Sequence, residues 1–79
     1  MMNKRSIYPG AVYKHYKGNF YKVIGVAKHT ETSEEMVVYI SLSDSDHYGA
    51  LWVRPLSIFC EDVKVDGETV PRFTLVLIH

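Results

Sequence analysis

Very little in this chain of 79 residues can supply covalent or metal reinforcement, because it holds a single cysteine, Cys60. One thiol allows no intramolecular disulfide and no cysteine-rich zinc site, and that scarcity agrees with a reducing compartment. Cys60 follows the apolar pair Ile58-Phe59 and precedes Glu61-Asp62. The apolar side suits a buried structural thiol, and the two carboxylates oppose a reactive thiolate. Glycine and proline are also few, five and three residues, and no linker, repeat or low-complexity tract is present. No apolar run approaches the roughly 18–20 residues of a membrane span, and no apolar targeting segment opens the chain. The expectation is a cytoplasmic protein with no membrane partner. Net charge is absent as well: nine basic and nine acidic residues cancel, so no global field draws in nucleic acid or membrane. Acid is missing from the first part of the chain. Lys4, Arg5, Lys14, Lys17, Lys22 and Lys28 all precede the first acidic residue, Glu31, and the acids end at Glu68. Such asymmetry predicts a basic face unless strand pairing mixes the two segments.

What the chain does have is aromatic and β-branched residues. Six Tyr, three Phe and one Trp make 13% of the sequence, and each large ring buries roughly 150–250 Å². That bulk matters in a chain this short, which buries only about 60% of the surface its unfolded form exposes. No segment carries a helical period. Strand-forming residues recur between turn signals and predict five strands, near residues 11–16, 20–28, 36–42, 50–54 and 72–78, with a short 3₁₀ turn between Pro55 and Asp62. The expected fold is all-β, a small five-stranded SH3-like barrel over residues 9–79, preceded by a flexible segment 1–8.

The turns specify registers. Gly18-Asn19 as a two-residue turn would set Tyr16 against Tyr21, His15 against Lys22 and Tyr13 against Ile24. Asp66-Gly67, the strongest hairpin signal in the chain, would set Val65 against Glu68 and Val63 against Val70 and end at Pro71, which has no N–H to donate. Between residues 20–28 and 36–42, pairing even positions with even keeps Phe20, Ile24 and Val26 with Met36, Val38, Ile40 and Leu42. The other face would hold Tyr16, Tyr21, Val23, Val37 and Tyr39, with Gly25 marking a bend. Both faces carry apolar groups, more than a thin monomeric barrel hides.

No phosphate-binding glycine loop, nucleophile elbow or zinc spacing is present. The remaining candidates are individual side chains. His15 lies in the lysine-rich first hairpin, where it would stack on or hydrogen-bond a ligand; the alternative is a plain surface strand residue. His29 and Glu31, two apart in extended chain, point the same way and would share a proton or a metal; the alternative is a solvated hairpin end. His47 with Asp44 and Asp46 adds a weaker set. Trp52 and Arg54 share one face of a strand and Leu51 and Val53 the other. With Leu51 and Val53 inward, Trp52 would be left beside a guanidinium, suited to stacking, cation–π contact or anion pairing. Otherwise Trp52 fills the barrel and Arg54 pairs with Glu61 or Glu31. Arg72 offers a second guanidinium and a natural partner in Glu61.

The assembled residues form a recognisable pattern: Pro9-Gly10, Tyr13, His15-Tyr16-Lys17-Gly18-Asn19, Tyr21, Val23, Gly25, His29-Thr30-Glu31-Thr32, Val38-Tyr39, Leu51-Trp52-Val53-Arg54-Pro55, Phe59 and Val70-Pro71-Arg72-Phe73. Over residues 9–73 it resembles the DUF1653 family of short, mainly bacterial domains. The resemblance implies a compact, mostly β domain with no established activity, substrate or cofactor. The loop from Ser43 to Gly49 departs from the family pattern, which weakens any role for Asp44, Asp46 and His47.

The functional expectation is a binding module whose aromatic and basic surface takes RNA, a protein segment or a small ligand. His15, Tyr16, Lys17, Tyr21, His29, Glu31, Trp52, Arg54 and Arg72 are its candidate residues. No catalytic residue, metal or cofactor is assigned. A structural or interaction subunit, able to self-associate, is the alternative. A small hydrolase-like enzyme, with His29 and Glu31 as base and orienter and Arg54 at an oxyanion, ranks below both.

Overall fold

The computed structural model describes residues 7–43 and 47–77. The strands are β1 (Val12–His15), β2 (Phe20–Lys28), β3 (Glu35–Ser41) and β4 (Leu51–Pro55). A one-turn helix, α1 (Leu56–Phe59), follows, then β5 (Asp62–Val65), β6 (Glu68–Pro71) and β7 (Phe73–Leu77). The five long-range strands lie where the β-branched and aromatic runs place them. The turn expected as 3₁₀ is α-helical over Leu56–Phe59, closed by the Cys60 N–H donating to Leu56 O at 3.0 Å.

The chain makes two antiparallel sheets, one of five strands in the order β4-β3-β2-β1-β7 and the β5-β6 ribbon. The expected SH3-like barrel does not close, because β4 and β7 end the sheet order without pairing to each other. The reason lies in α1. It presses Phe59 onto one face of the sheet, where the ring is buried and stacks on Phe73 at 4.0 Å between centroids and 5° between planes. Tyr13 and Tyr39 each meet Phe59 edge-on at 5.5 Å. Ring against ring therefore buries this face without barrel closure. Ala11, Val23 and Val37 complete the core, and Ile7, Leu56 and Cys60 pack on its edge.

The first hairpin corrects the expected register. Tyr13 pairs with Tyr21, Lys14 with Phe20 and Val12 with Lys22. The loop is Tyr16-Lys17-Gly18, closed by the His15 N–H donating to Asn19 O and the Gly18 N–H to His15 O, each at 2.8 Å. Gly18 takes φ 111°, the left-handed position that ends a three-residue hairpin loop. The glycine is the last loop residue rather than the first of two, so no Tyr16–Tyr21 pair forms. The ribbon follows expectation: Val65 pairs with Glu68 and Val63 with Val70, around Asp66 and Gly67 at φ 51° and 82°.

Even-with-even pairing holds from Lys22↔Ile40 only as far as a bulge at Ile24, after which Gly25 pairs with Val38 and Ala27 with Met36. The bend expected at Gly25 is this bulge, and Tyr39 pairs with Val23. The faces then sort plainly. Val37, Tyr39 and Ser41 point to the core, while Val38 and Ile40 point away with Val53 and Leu51 as partners on β4. Leu51 and Val53 are 66% and 58% exposed. The aromatic face is the core and the aliphatic one faces outward.

Truncating Phe59 to Ala is expected to remove roughly 3–5 kcal/mol, a large part of the roughly 5–15 kcal/mol that stabilises a whole domain. Gly67→Ala, at a positive φ, is expected to cost only about 1–2 kcal/mol. Urea denaturation followed by circular dichroism checks both, and equal losses would contradict the central place of Phe59.

Candidate functional site

α1 covers only part of the core face. Beyond it the sheet presents an open hollow of about 250 Å³ lined by Tyr21, Tyr39, His47, Trp52 and Arg54. Register explains the gathering. Trp52 pairs with Tyr39 and Arg54 with Val37, so both β4 side chains share the face of those buried residues. Tyr21 pairs with Tyr13 and Ser41 on the same face, and His15 pairs with Phe73.

Buried Phe73 packs against Tyr21, Tyr39 and Arg54. Its ring lies 4.9 Å from His15, 5.9 Å from Tyr21 and 5.6 Å from Tyr39, all close to edge-on. The Arg54 guanidinium carbon lies 5.6 Å from the Phe73 centroid, a cation–π contact. Trp52, 41% exposed, meets His47 at 5.6 Å. Arg72 immediately precedes Phe73 and is tied down by its backbone: its N–H donates to Glu61 O at 3.0 Å and its carbonyl accepts from Tyr16 N–H at 2.9 Å. Its Nη2 donates to Glu61 Oε1 at 3.2 Å, the pairing the sequence suggests.

Burial and the two arginines set the electrostatics. Burial, then Arg54, Arg72 and Lys17, hold the His15 pKa below its ordinary value. His15 Nδ1 accepts the Lys17 N–H at 3.2 Å, so in the neutral ring Nε2 carries the hydrogen. Burial raises the Tyr39 pKa, with Arg54 and Arg72 opposing and Tyr21 adding to the rise. Both guanidiniums therefore act on the same two side chains. Arg54 Nη1 and Arg72 Nε are buried without a hydrogen-bond acceptor, a costly state for charged donors.

The structure thus brings together His15, Tyr21, Trp52, Arg54 and Arg72. Tyr16 joins at the rim, its ring 4.6 Å from His15, and Lys17 lies 5.9 Å from the Tyr16 ring. His29 and Glu31 stand apart, at the exposed β2–β3 hairpin end. There the Glu31 N–H donates to His29 Nδ1 at 3.1 Å and the side chains are 3.5 Å apart. Val26 is level with Val37 and Arg54, so at about 4.8 Å per strand and 3.3 Å per residue the His29 and Arg54 backbones are on the order of 14 Å apart. Asp44 and Asp46 lie outside the described residues. Among the described residues no group of three or more His, Cys, Asp or Glu is arranged to hold a metal ion.

Two participants escaped the sequence reading of the site, Tyr39 and Phe73, while a third, His47, carries only a weak signal in the sequence, beside Asp44 and Asp46. Tyr39 alternates with Val37, and Phe73 follows Arg72 directly; both were legible as partners once register was known. A second groove, about 360 Å³, runs between the ribbon and β1, but it sets Lys14 near Asp66 and Glu68 and so mixes charge signs.

A family model described as protein of unknown function (DUF1653) matches residues 11–75. A crystal structure of a protein of that family from Bordetella bronchiseptica superposes with a TM-score of 0.80 at 36% identity, covering 98% of this chain and 96% of that one. No curated protein matches.

The His15 environment gives a pH expectation. The groups facing it are Arg54, Arg72, Lys17, Tyr16, Tyr21 and Phe73. With its folded pKa depressed, both states are neutral at this residue above the ordinary value of about 6.5. As pH falls through that value the unfolded chain takes the proton first, so stability falls until the folded pKa is passed. Melting temperature should drop between about pH 7 and pH 5, and His15→Gln should flatten the drop. An unchanged slope in the variant would assign it elsewhere.

Proposed function

The chain belongs to the DUF1653 family, and we propose that it is a small binding module that holds a ring-bearing ligand on the open part of its aromatic and basic face. The observation that carries this reading is the convergence of Trp52, Tyr21, Tyr39 and Arg54 around one hollow, with buried Phe73 packed against Tyr21, Tyr39 and Arg54. An open aromatic wall with a guanidinium beside it favours flat ligands by stacking and cation–π contact. The tight inner part of the same face is already filled by Phe59, so the ligand sits at the surface, over Trp52.

Charge placement favours a compact ligand over a long RNA strand. Lys14 pairs with Phe20 and Lys22 with Val12, and alternation along a strand sends both to the opposite face from Tyr13 and Tyr21. The aromatic face is left with its arginines and Lys17, too few cations for a track along many phosphates. RNA and protein segments become outcomes of the test. The enzyme reading loses its geometry, since His29 and Glu31 sit at an exposed hairpin end away from Arg54.

Amide-resolved NMR titration, at low and then moderate salt, tests the proposal with a nucleoside monophosphate, a mixed short RNA and a short peptide mixture. The expected result is saturable shifts at Tyr21, Tyr39, Trp52 and Arg54 with the mononucleotide. Trp52→Ala should weaken it by roughly 1–3 kcal/mol, the usual stacking contribution. Shifts with RNA alone that vanish with salt would replace a compact ligand by nucleic acid. Shifts with the peptides alone would point to a protein segment. No shift on this face with any of the three would remove the reading.

A second reading has its own observation. Leu51 and Val53 project from the outward face of β4 beside Val38 and Ile40, and β4 ends its sheet. We propose that a second copy of the chain covers this edge, since an exposed aliphatic patch at a sheet end favours association. Sedimentation velocity at rising concentration should show a dimer that Val53→Lys dissolves, and a strictly monomeric native protein at millimolar concentration would end this reading.

A further inference from the structure

We propose that Arg54 and Arg72, with the His15 Nε2–H as a third donor, form an oxyanion subsite that takes the phosphate or carboxylate of the ligand held on the aromatic face. The inference rests on the binding reading above and adds what the ligand must carry.

Two independent features of the site support it. The first is unpaired donors. Arg54 Nη1 and Arg72 Nε are buried and lack acceptors. Leaving charged N–H groups desolvated and unpaired is unfavourable, and an incoming oxygen removes that penalty. Glu61 reaches Arg72 only at Nη2, so the Nε–H remains free for another acceptor. Among the described residues that contact is the only ion pair made by either arginine.

The second feature is location. The Arg54 guanidinium carbon lies 5.6 Å from the Phe73 centroid, His15 meets the same ring at 4.9 Å, and Arg72 directly precedes Phe73, so both charges belong to one neighbourhood. The rings of Phe73, Tyr21 and Tyr39 pack there, an apolar surface beside which charge-assisted hydrogen bonds are stronger than in bulk water. His15 contributes an Nε2–H, because its Nδ1 already accepts from Lys17. All three donors belong to segments fixed by backbone bonds. His15 N–H and carbonyl close the first hairpin loop, Arg72 N–H is held by Glu61 O, and Arg54 sits in the β3–β4 ladder. Donors held in place before the ligand arrives lose less entropy on binding.

Carboxylate and phosphate share the chemistry described, and the experiment separates them. Native protein is titrated by NMR with benzoate, phenyl phosphate and benzamide, a neutral ring close to benzoate in shape. The expected result is that at least one anionic probe binds tenfold or more tightly than benzamide. Whichever anion binds better identifies the source. In Arg54→Gln the advantage should fall to within about threefold, while the shifts caused by benzamide persist. Arg54→Lys, which keeps the charge and loses the fork, should recover part of it.

Equal affinity for benzoate, phenyl phosphate and benzamide at Tyr21, Tyr39 and Trp52 would overturn the oxyanion subsite and leave the binding face standing. Absence of shifts on that face with all three probes would overturn both. Should Arg54→Gln fail to fold, the comparison of the three probes on the native chain decides the matter without it.

Discussion

The position of one ring, Phe73, governs the rest of this molecule. Its near-parallel stack with Phe59 at 4.0 Å fastens α1 to the sheet. The same ring receives His15, Tyr21 and Tyr39 at its edges and Arg54 at 5.6 Å. Stacked and edge-on aromatic contacts add roughly 0.5–1.5 kcal/mol each beyond area burial, and so many on one residue are a large share of what a small domain has. Core and candidate site are therefore two sides of one aromatic cluster. The cluster also explains how 79 residues make a stable fold with one cysteine, without the disulfide framework on which small chains often depend.

The sequence carried the strands well and the registers unevenly. Residues such as Val37 to Ile40 and Phe73 to Leu77 have local preferences strong enough to mark their extent. Asp66-Gly67 also read correctly, because a two-residue turn with two positive φ values leaves few alternatives. Gly18-Asn19 did not. Gly at the first position of a two-residue turn and Gly at the end of a three-residue loop are both good local solutions. The choice was made by tertiary contacts, since the observed register puts Tyr13 and Tyr21 together on the core face. The bulge at Ile24 was equally invisible in detail; Gly25 signalled a bend without saying which residue would be displaced.

The assignment of faces is the more instructive case. Met36, Val38, Ile40, Leu51 and Val53 form an aliphatic set, and Tyr13, Tyr21, Val37, Tyr39 and Trp52 an aromatic one. Alternation separates the sets but does not say which is covered. That was decided by Phe59, four residues into an irregular stretch with no strand or helix period, whose flat ring fits among rings. Much of the candidate site was accordingly legible as a list, with Trp52, Arg54, His15, Tyr21 and Arg72 all brought together. Tyr39 and Phe73 were not, because their role arises only when distant strands align. His29 and Glu31 were a local pair that proved to be only local, closing their own hairpin end.

Sharing one cluster has a thermodynamic consequence. An anion bound at Arg54 and Arg72 would act on the same residues that hold α1 in place: Arg54 lies on Phe73, and Arg72 is tied to Glu61, which follows α1 by two residues. A ligand that binds the folded chain and not the unfolded one stabilises it by RT ln(1 + [L]/Kd). Here that general gain would be accompanied by relief of two buried, unpaired donors, an unfavourable feature of the free fold. Under the binding reading, the free protein would keep these groups in place at some cost to its own stability, a pattern expected where strain and unmet hydrogen bonds collect at a functional site. On this view the unpaired N–H groups and the stack of Phe59 on Phe73 belong together: the stack supplies the rigidity that keeps two guanidiniums partly desolvated while no acceptor is bound.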